Sequence, residues 1–227
     1  MKIVLTNDDG YGEPGLITLR RSVQFMGEVV VVAPRAPQSG IGHRVTLRYP
    51  LQVDQVRTNH YIVQGTPADC TRLALKQFAP DADWVLAGIN PGANLGSDVY
   101  QSGTVAAARE AAILGVKAIA ISQYIGPAHE LDWETTGLHA ATILPLVMGQ
   151  AQPPGRYWNI NLPSPLDDQA PMAHAQCPLD KYPHRYSYTR EAGVFRYNGV
   201  IHDRPHAAGS DVAVCFGGRI AITPLEV

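Results

Sequence analysis

The amino-terminal segment from Lys2 to Gly10 constrains the fold most, because a short apolar run there ends in two adjacent carboxylates. A run of this length, rich in β-branched residues and bounded by a turn signal, predicts a buried central strand over 2–6. Asp8 and Asp9 then follow the carboxyl end of that strand, where open α/β sheets bind their ligands. Neighbouring carboxylates repel each other unless a cation or a donor compensates them. Such oxygen ligands suit Mg²⁺, Mn²⁺ or Ca²⁺, and the plainer interpretation is a polar turn.

The first 163 residues alternate predicted strands with predicted helices. The apolar patterns predict strands over 2–6, 28–33, 61–64, 84–87, 117–122 and 157–161, and helices over 14–26, 66–78, 104–114 and 133–148. This order favours βαβ units, and we expect an α/β fold with a Rossmann-like, mostly parallel sheet and helices on both faces. Beyond this core, prolines, tyrosines and arginines without a helical period predict a small irregular β-hairpin lobe over 164–207. The remaining 208–227 form a carboxyl-terminal segment with a last predicted strand over 219–223.

Composition and charge exclude several classes of protein. The net charge is −2 and no basic stripe is present, so we expect no nucleic-acid binding. The three cysteines are widely spaced, which favours reduced thiols in the cytosol over a disulfide framework. The apolar runs are too short to span a membrane, and the first strand leaves no room for a signal peptide. We therefore expect a soluble, cytoplasmic protein of one large α/β domain, with a subsidiary lobe.

Three further junctions between predicted elements carry small and polar residues that we expect at the same edge of the sheet. They are 38–43 with Ser39, 88–96 with Asn90 and Asn94, and 101–104 with Ser102, Gly103 and Thr104. The last one begins a helix, so its hydroxyls and free N–H groups favour an anion site. Each junction also has a plainer interpretation, since glycines and Asn-Pro-Gly form turns and a serine commonly caps a helix.

The combination of these junctions is more informative than any one of them. Neither the dinucleotide-binding G-x-G-x-x-G pattern nor an ATP-binding P-loop is present, which argues against a nicotinamide cofactor and against that class of ATPase. An acid pair, a hydroxyl, an amide and an anion cradle at one sheet edge are what metal-assisted phosphoryl transfer requires. The sequence therefore predicts an active site for phosphoryl transfer at this edge.

Several motifs in the same order resemble the survival protein E (SurE) family of metal-dependent 5′-nucleotidases. They are TNDDG at 6–10, APRAPQSGIGH at 33–43, GTPADC at 65–70, GINPGANLGSDV at 88–99 and SGTVAAARE at 102–110. The segment NINLP at 159–163 and the ending GSDVAV…IAITPL are also similar to the family. The resemblance implies a cytoplasmic hydrolase that converts nucleoside monophosphates to nucleoside and inorganic phosphate.

The resemblance also implies roles for individual residues. The metal ligands would be Asp8, Asp9, Ser39 and Asn90, with one divalent cation, Mg²⁺ or Mn²⁺, in each subunit. Asp8 and Asp9 would be catalytic, and the phosphate would bind at Ser102, Gly103 and Thr104, with Asn94 nearby. Family members form homodimers or homotetramers, partly by exchanging carboxyl-terminal segments, so the lobe over 164–207 is expected to serve oligomerisation and 208–227 to be exchanged.

Two other classes of function remain open at this point. A receiver-like signalling module also places an acid pair after its first strand and binds Mg²⁺, but it needs a phosphoacceptor aspartate after a later strand, where this chain has Asn90. A nucleotide-binding regulatory protein without turnover would keep the anion cradle and release no phosphate. Direct attack by water is the favoured mechanism, because Asp8 and Asp9 lack the D-x-D spacing of enzymes that form an aspartyl-phosphate.

Overall fold

The protein, in a computed structural model that describes residues 1–127, 129–166, 172–183 and 186–227, is built around a nine-stranded sheet. The strands are β1 (Lys2–Thr6), β2 (Glu28–Pro34), β3 (Val53–Arg57), β4 (His60–Val63), β5 (Trp84–Pro91), β6 (Lys117–Gln123), β7 (Arg156–Leu162), β8 (His174–Gln176), β9 (Tyr188–Glu191), β10 (Val194–Tyr197) and β11 (Ile220–Glu226). The order in the main sheet is β3-β4-β2-β1-β5-β6-β7-β11-β8, and β9 pairs with β10 in a separate hairpin.

Six adjacent strands, in the order β4-β2-β1-β5-β6-β7, are joined by parallel pairs only, which confirms the predicted mostly parallel sheet. Antiparallel pairing occurs only toward the two sides of the described sheet, between β3 and β4 and between β7 and β11. Strand β1 is the fourth of the nine strands, next to the middle strand β5, so the acid pair that follows it lies near the centre of the carboxyl edge. This is where doubly wound sheets bind ligands.

Helices cover both faces of the sheet, as predicted. They are α1 (Pro14–Val23), α2 (Pro67–Leu73), α3 (Gly103–Ile113), α4 (Trp133–Met148) and α5 (Asp211–Phe216). Successive side chains of β1 point to opposite faces: Ile3 and Leu5 pack with α1 and α4, whereas Val4 packs with α2 and α3. Both faces of β1 are therefore buried, which explains its unbroken apolar sequence.

The start of α2 follows the sequence signal closely. Thr66 accepts a hydrogen bond from the Asp69 amide, and Asp69 accepts one from the Thr66 amide, so a capping box closes the first turn. Pro67 occupies the first turn, where its missing N–H costs nothing. The α-helix ends at Leu73 and continues as a π-helical turn over Ala74–Phe78, which reaches the predicted end.

Several elements differ from the sequence prediction. The first helix ends at Val23 rather than at 26, and β5 continues past Gly88 to Pro91, with its register against β6 shifted between Ala87 and Asn90. The sequence prediction did not include β3 or α5. It also did not include β8 as a strand of the main sheet, where β8 pairs with β11. β3 and β8 are short and largely exposed, and α5 has only six residues, so none of them is long enough to show a clear apolar period.

Parts of the predicted lobe, 167–171 and 184–185, lie outside the described residues. Its described part includes β8 and the exposed hairpin of β9 and β10. The division into a core, a lobe and an exchanged terminal segment stays a prediction. Among the described residues, the helices are too short or too polar to cross a membrane.

Candidate active site

A cavity of about 570 Å³ opens at the carboxyl edge of the sheet. Six of the predicted site residues line it: Asp8, Asp9, Ser39, Asn90, Asn94 and Ser102. The two others, Gly103 and Thr104, are the first residues of α3, directly after Ser102, and both are buried. The fold thus brings the four sequence junctions together around one volume.

The turn after β1 positions the acid pair. Asn7 donates from Nδ2 to the Gly10 carbonyl at 2.9 Å and accepts from the Gly10 amide at 3.2 Å, so its side chain closes the turn. Gly10 has φ of 122°, a conformation that glycine adopts without strain. The polar-turn interpretation is therefore correct for Asn7, while Asp8 and Asp9 face the cavity.

Asp8 is buried and packs against the start of α3. Its Oδ1 accepts a short hydrogen bond from the Thr104 hydroxyl. A Cβ on Gly103 would lie 2.8 Å from the Asp8 Cβ, so only glycine permits this close approach. Burial raises the pKa of Asp8, and the bond from Thr104 opposes that rise. The Thr104 hydroxyl is thus occupied in orienting Asp8.

Asp9 carries the feature of the site that most needs explanation. Its Oδ2 is buried and has no hydrogen-bond partner among the described residues. Burial, and then the charge of neighbouring Asp8, raise the pKa of Asp9 to about 7. A buried carboxylate without a partner is costly, and a bound cation removes that cost.

Two neutral oxygens face the acid pair from neighbouring loops. Asn90, near the end of β5, lines the cavity and donates from Nδ2 to the Gly92 carbonyl at 2.6 Å, and its Oδ1 accepts no hydrogen bond from the described residues. Ser39 lies on the exposed loop after β2 and also lines the cavity. The Gln38 amide donates to the Asp8 carbonyl at 2.7 Å, so this loop is tied to the acid pair.

These four side chains fit a hard divalent cation by their chemistry. Two carboxylates supply the charge, and a hydroxyl and an amide oxygen supply neutral oxygen ligands. Within the described part of the chain, no cluster of three or more His, Cys, Asp or Glu side chains offers an alternative metal site. The unpartnered Asp9 oxygen is the observation on this structure that favours a cation here.

The start of α3 lines the cavity next to Asp8. Ser102 accepts a hydrogen bond from the Val105 amide at 3.0 Å and is the N-cap, as the plainer interpretation of this serine expected. The Gly103 and Thr104 amides at this helix start face the Asp8 carboxyl and lower its pKa. Asn94 is fixed there by its Nδ2, which donates to the Ser122 hydroxyl at 2.8 Å.

The loop after β2 is anchored to α3 by a buried carboxylate that sequence reasoning missed. Glu110 is 1% exposed and accepts from His43 Nε2 at 2.7 Å and from Arg72 Nε at 2.5 Å. The Gly42 amide adds a bond to the Gln101 carbonyl at 2.9 Å. Because His43 and Gly42 follow Ser39 on the same loop, these bonds fix the loop that brings Ser39 to the acid pair.

The carboxyl-terminal part of the chain completes the cavity. Tyr197 and Ile201 line it, and Arg204 forms a buried ion pair with Asp98 at 2.6 Å and donates to the Leu95 carbonyl at 3.1 Å. No local pattern in the sequence predicts a role for these residues, because they are about 100 positions along the chain from the residues that they contact. Their contribution depends entirely on tertiary structure.

Comparisons with known proteins identify the family to which this chain belongs. The family model described as survival protein SurE matches residues 3–182. A relative in Synechocystis sp. is 44% identical over 227 residues, with both chains covered completely. A Brucella canis protein named 5′-nucleotidase SurE is 38% identical, covering all of this chain and 92% of its own. The crystal structure of the SurE protein from Aquifex aeolicus has a TM-score of 0.86 at 32% identity, covering all of this chain and 93% of that one. The chain belongs to the SurE family.

Proposed function

We propose that this protein is a divalent-metal-dependent 5′-nucleotidase that hydrolyses nucleoside monophosphates to nucleoside and inorganic phosphate. The name of the Brucella canis relative supports the reaction. The observation that carries the proposal on this chain is the unpartnered Asp9 oxygen beside Asp8, in the cavity that the amino terminus of α3 also lines. A cation next to an anion cradle is suited to a phosphate monoester.

We assign the cation to Asp8, Asp9, Ser39 and Asn90, with one Mg²⁺ or Mn²⁺ in each subunit. When bound, the cation supplies charge stabilisation at the phosphoryl oxygens and a lower pKa for water. Asp8 is held for this role by the Thr104 hydroxyl and by its close packing on Gly103. Asp8 and Asp9 are therefore the residues that we propose as catalytic.

The phosphate group would bind at the start of α3. Ser102, Gly103 and Thr104 offer the hydroxyl and N–H groups there, and Asn94 lines the same cavity. The Thr104 hydroxyl donates to Asp8, and the Gly103 and Thr104 amides also lie against the Asp8 carboxyl and lower its pKa, so the phosphate would share these donors with Asp8. In the hydrolysis, the water oxygen bonds to phosphorus, the bond from phosphorus to the nucleoside oxygen breaks, and the nucleoside leaves with a proton.

The nucleoside would lie toward Tyr197 and Ile201, which give the cavity an aromatic and an aliphatic wall away from the acid pair. A base or ribose has flat or apolar surface that such a wall can cover. We also expect a homodimer or homotetramer, with the exposed hairpin of β9 and β10 and the segment 208–227 at the contacts. A cytoplasmic location and no nucleic-acid binding remain predictions from the sequence.

Phosphate release from a panel of 5′ and 3′ nucleoside monophosphates, with Mg²⁺, Mn²⁺ or EDTA, tests the proposal. The test variant is Asp9→Asn, which keeps the shape of the side chain and removes its charge. The matched control is Asp81→Asn, the same change at a side chain that is 67% exposed and pairs with Lys2 on the surface. We expect release that requires metal, survives Asp81→Asn and is lost in Asp9→Asn.

Two results would count against the proposal. Release that is unchanged in EDTA and in Asp9→Asn would remove the metal from the mechanism. Nucleotide binding by the folded protein without release, under every metal and with every nucleotide, would favour the regulatory binding module instead. A melting temperature that rises with Mg²⁺ or Mn²⁺ in the wild type and not in Asp9→Asn would locate the cation independently of turnover.

A further inference from the structure

A second cavity, of about 110 Å³, lies between α1 and the β2–β4 side of the sheet. Leu16, Ile17 and Val31 give it an apolar surface, and Tyr11 lines it as well. It shares no lining residue with the active-site cavity. The proposed nucleotidase reaction makes no use of it.

The charged groups at this second cavity are all basic. Arg20 and Arg57 line it, and no acidic residue does so among the described residues. Neither guanidinium has an ion pair or a hydrogen bond to the part of the chain that the structure describes. Arg57 is exposed and Arg20 is half-buried, so both remain accessible to a ligand from solvent.

His60 adds a buried polar group to the same cavity. Its side chain is among the buried residues, with 8% exposed, and its Nδ1 lies 3.3 Å from the Tyr11 hydroxyl. Its Nε2 has no hydrogen-bond partner among the described residues. This nitrogen is not one of the fully buried atoms that lack a partner, so it is accessible from the cavity and can bind an atom of a ligand.

We propose that the cavity formed by Tyr11, Leu16, Arg20, Val31, Arg57 and His60 binds a small organic phosphate. Two guanidinium groups match the charge of a phosphate dianion, and guanidinium is the side-chain group best suited to phosphate oxygens. The apolar surface of Leu16 and Val31 takes the organic part, and His60 Nε2 takes a polar atom of the ligand. The volume admits a single ring or a short chain and excludes a complete nucleotide.

The position of Tyr11 places this ligand site next to the acid pair along the chain. Tyr11 follows Asp9 and Gly10 directly, its amide donates to the Pro34 carbonyl at 2.8 Å, and its hydroxyl contacts His60. A ligand on His60 would therefore contact the same segment that leaves the active site. This is a second site with its own ligand, distinct from the substrate site.

Titration calorimetry with phenylphosphonate in excess EDTA tests the proposal, because its carbon–phosphorus bond is not a phosphate ester that the enzyme could hydrolyse. The test variants are Arg57→Gln, at an exposed side chain that the fold tolerates, and the double variant Arg20→Gln/Arg57→Gln. The matched control is Arg21→Gln, which removes the same charge from the same helix but lines a different groove. Ser102→Ala is the control for binding at the active site.

We expect one phenylphosphonate per chain in the wild type, in Arg21→Gln and in Ser102→Ala. Loss of one charge-assisted contact should weaken binding about tenfold in Arg57→Gln, and more in the double variant. Equal affinity in Arg57→Gln and in the wild type would overturn the proposal, as would no binding to the wild type. Inorganic phosphate that binds as tightly as phenylphosphonate would overturn the assignment of an organic ligand.

Discussion

The anchor at Glu110 gives the sharpest test of how this active site is held together. The change is Glu110→Gln, which keeps the volume of the side chain but replaces a charged acceptor by a neutral amide. In the wild type, both carboxylate oxygens are used, one by His43 and one by Arg72. The amide can accept only one of these bonds and presents N–H donors to the other partner.

The size of the effect follows from the burial of the three groups. Glu110 is 1% exposed, but the side chains of His43 and Arg72 are 23% and 38% exposed, so water can solvate both partners after the change. We therefore expect the loss of roughly one charge-assisted bond, about 2 kcal/mol of the free energy of unfolding, rather than the larger loss of a fully buried pair. In a protein of this length that corresponds to about 4–8 °C in melting temperature.

Thermal unfolding and urea unfolding measure this loss directly. The matched control is Glu226→Gln, whose carboxylate also pairs with an arginine but is 66% exposed. Its loss should stay below about 1 kcal/mol, because exposed ion pairs contribute little. A second readout is the Mn²⁺ concentration that gives half-maximal phosphate release, which should rise in Glu110→Gln because the Ser39 loop loses its anchor.

The stability contributed by Glu110 and its two partners depends on pH in a definite direction. Burial raises the pKa of Glu110, but the hydrogen bonds from His43 and Arg72 outweigh it and hold the pKa below its ordinary 4.5. The unfolded chain then binds the proton first as the pH falls, so the contribution of the pair is complete above pH 4.5 and is lost below it. A melting temperature of Glu110→Gln within about 1 °C of the wild type at pH 7 would refute the anchor.

Three further predictions concern other parts of the same framework. Ser102→Ala removes the N-cap of α3, so it should lower the free energy of unfolding in urea by about 1 kcal/mol and abolish phosphate release. Ser102→Asn should restore the stability but not the phosphate release. Asp69→Ala leaves the amides of Thr46 and Thr66 without their acceptor and should lower stability by about 3 kcal/mol, and a loss under about 1 kcal/mol would contradict this. Burial, and then the charges of Arg57 and Arg20, lower the pKa of His60 to about 4. The melting temperature of the wild type should therefore increase as the pH rises from 4 to 6.5, and His60→Gln should lack that increase.

The sequence by itself determined the central part of this protein. The unbroken apolar runs before Asp8 and before Asn90 predict buried parallel strands, and strands of one parallel sheet end at the same edge. Neighbouring β1 and β5 therefore had to bring their terminal polar residues together. The capping signals of Thr66 and Ser102 lie within three residues of the groups that they bind, so these helix starts were also readable.

Tertiary structure alone decided how each group in the site is used. The sequence offered the Thr104 hydroxyl as a phosphate ligand, but the packing of α3 on the sheet directs it to Asp8, 96 positions away. Glu110 meets His43 across 67 positions, and Arg204 meets Asp98 across 106. Such pairs leave no local pattern, because their partners meet only after the sheet and its helices have packed. Short-range periodicity and capping therefore predicted the framework, and long-range packing assigned the hydrogen bonds within it.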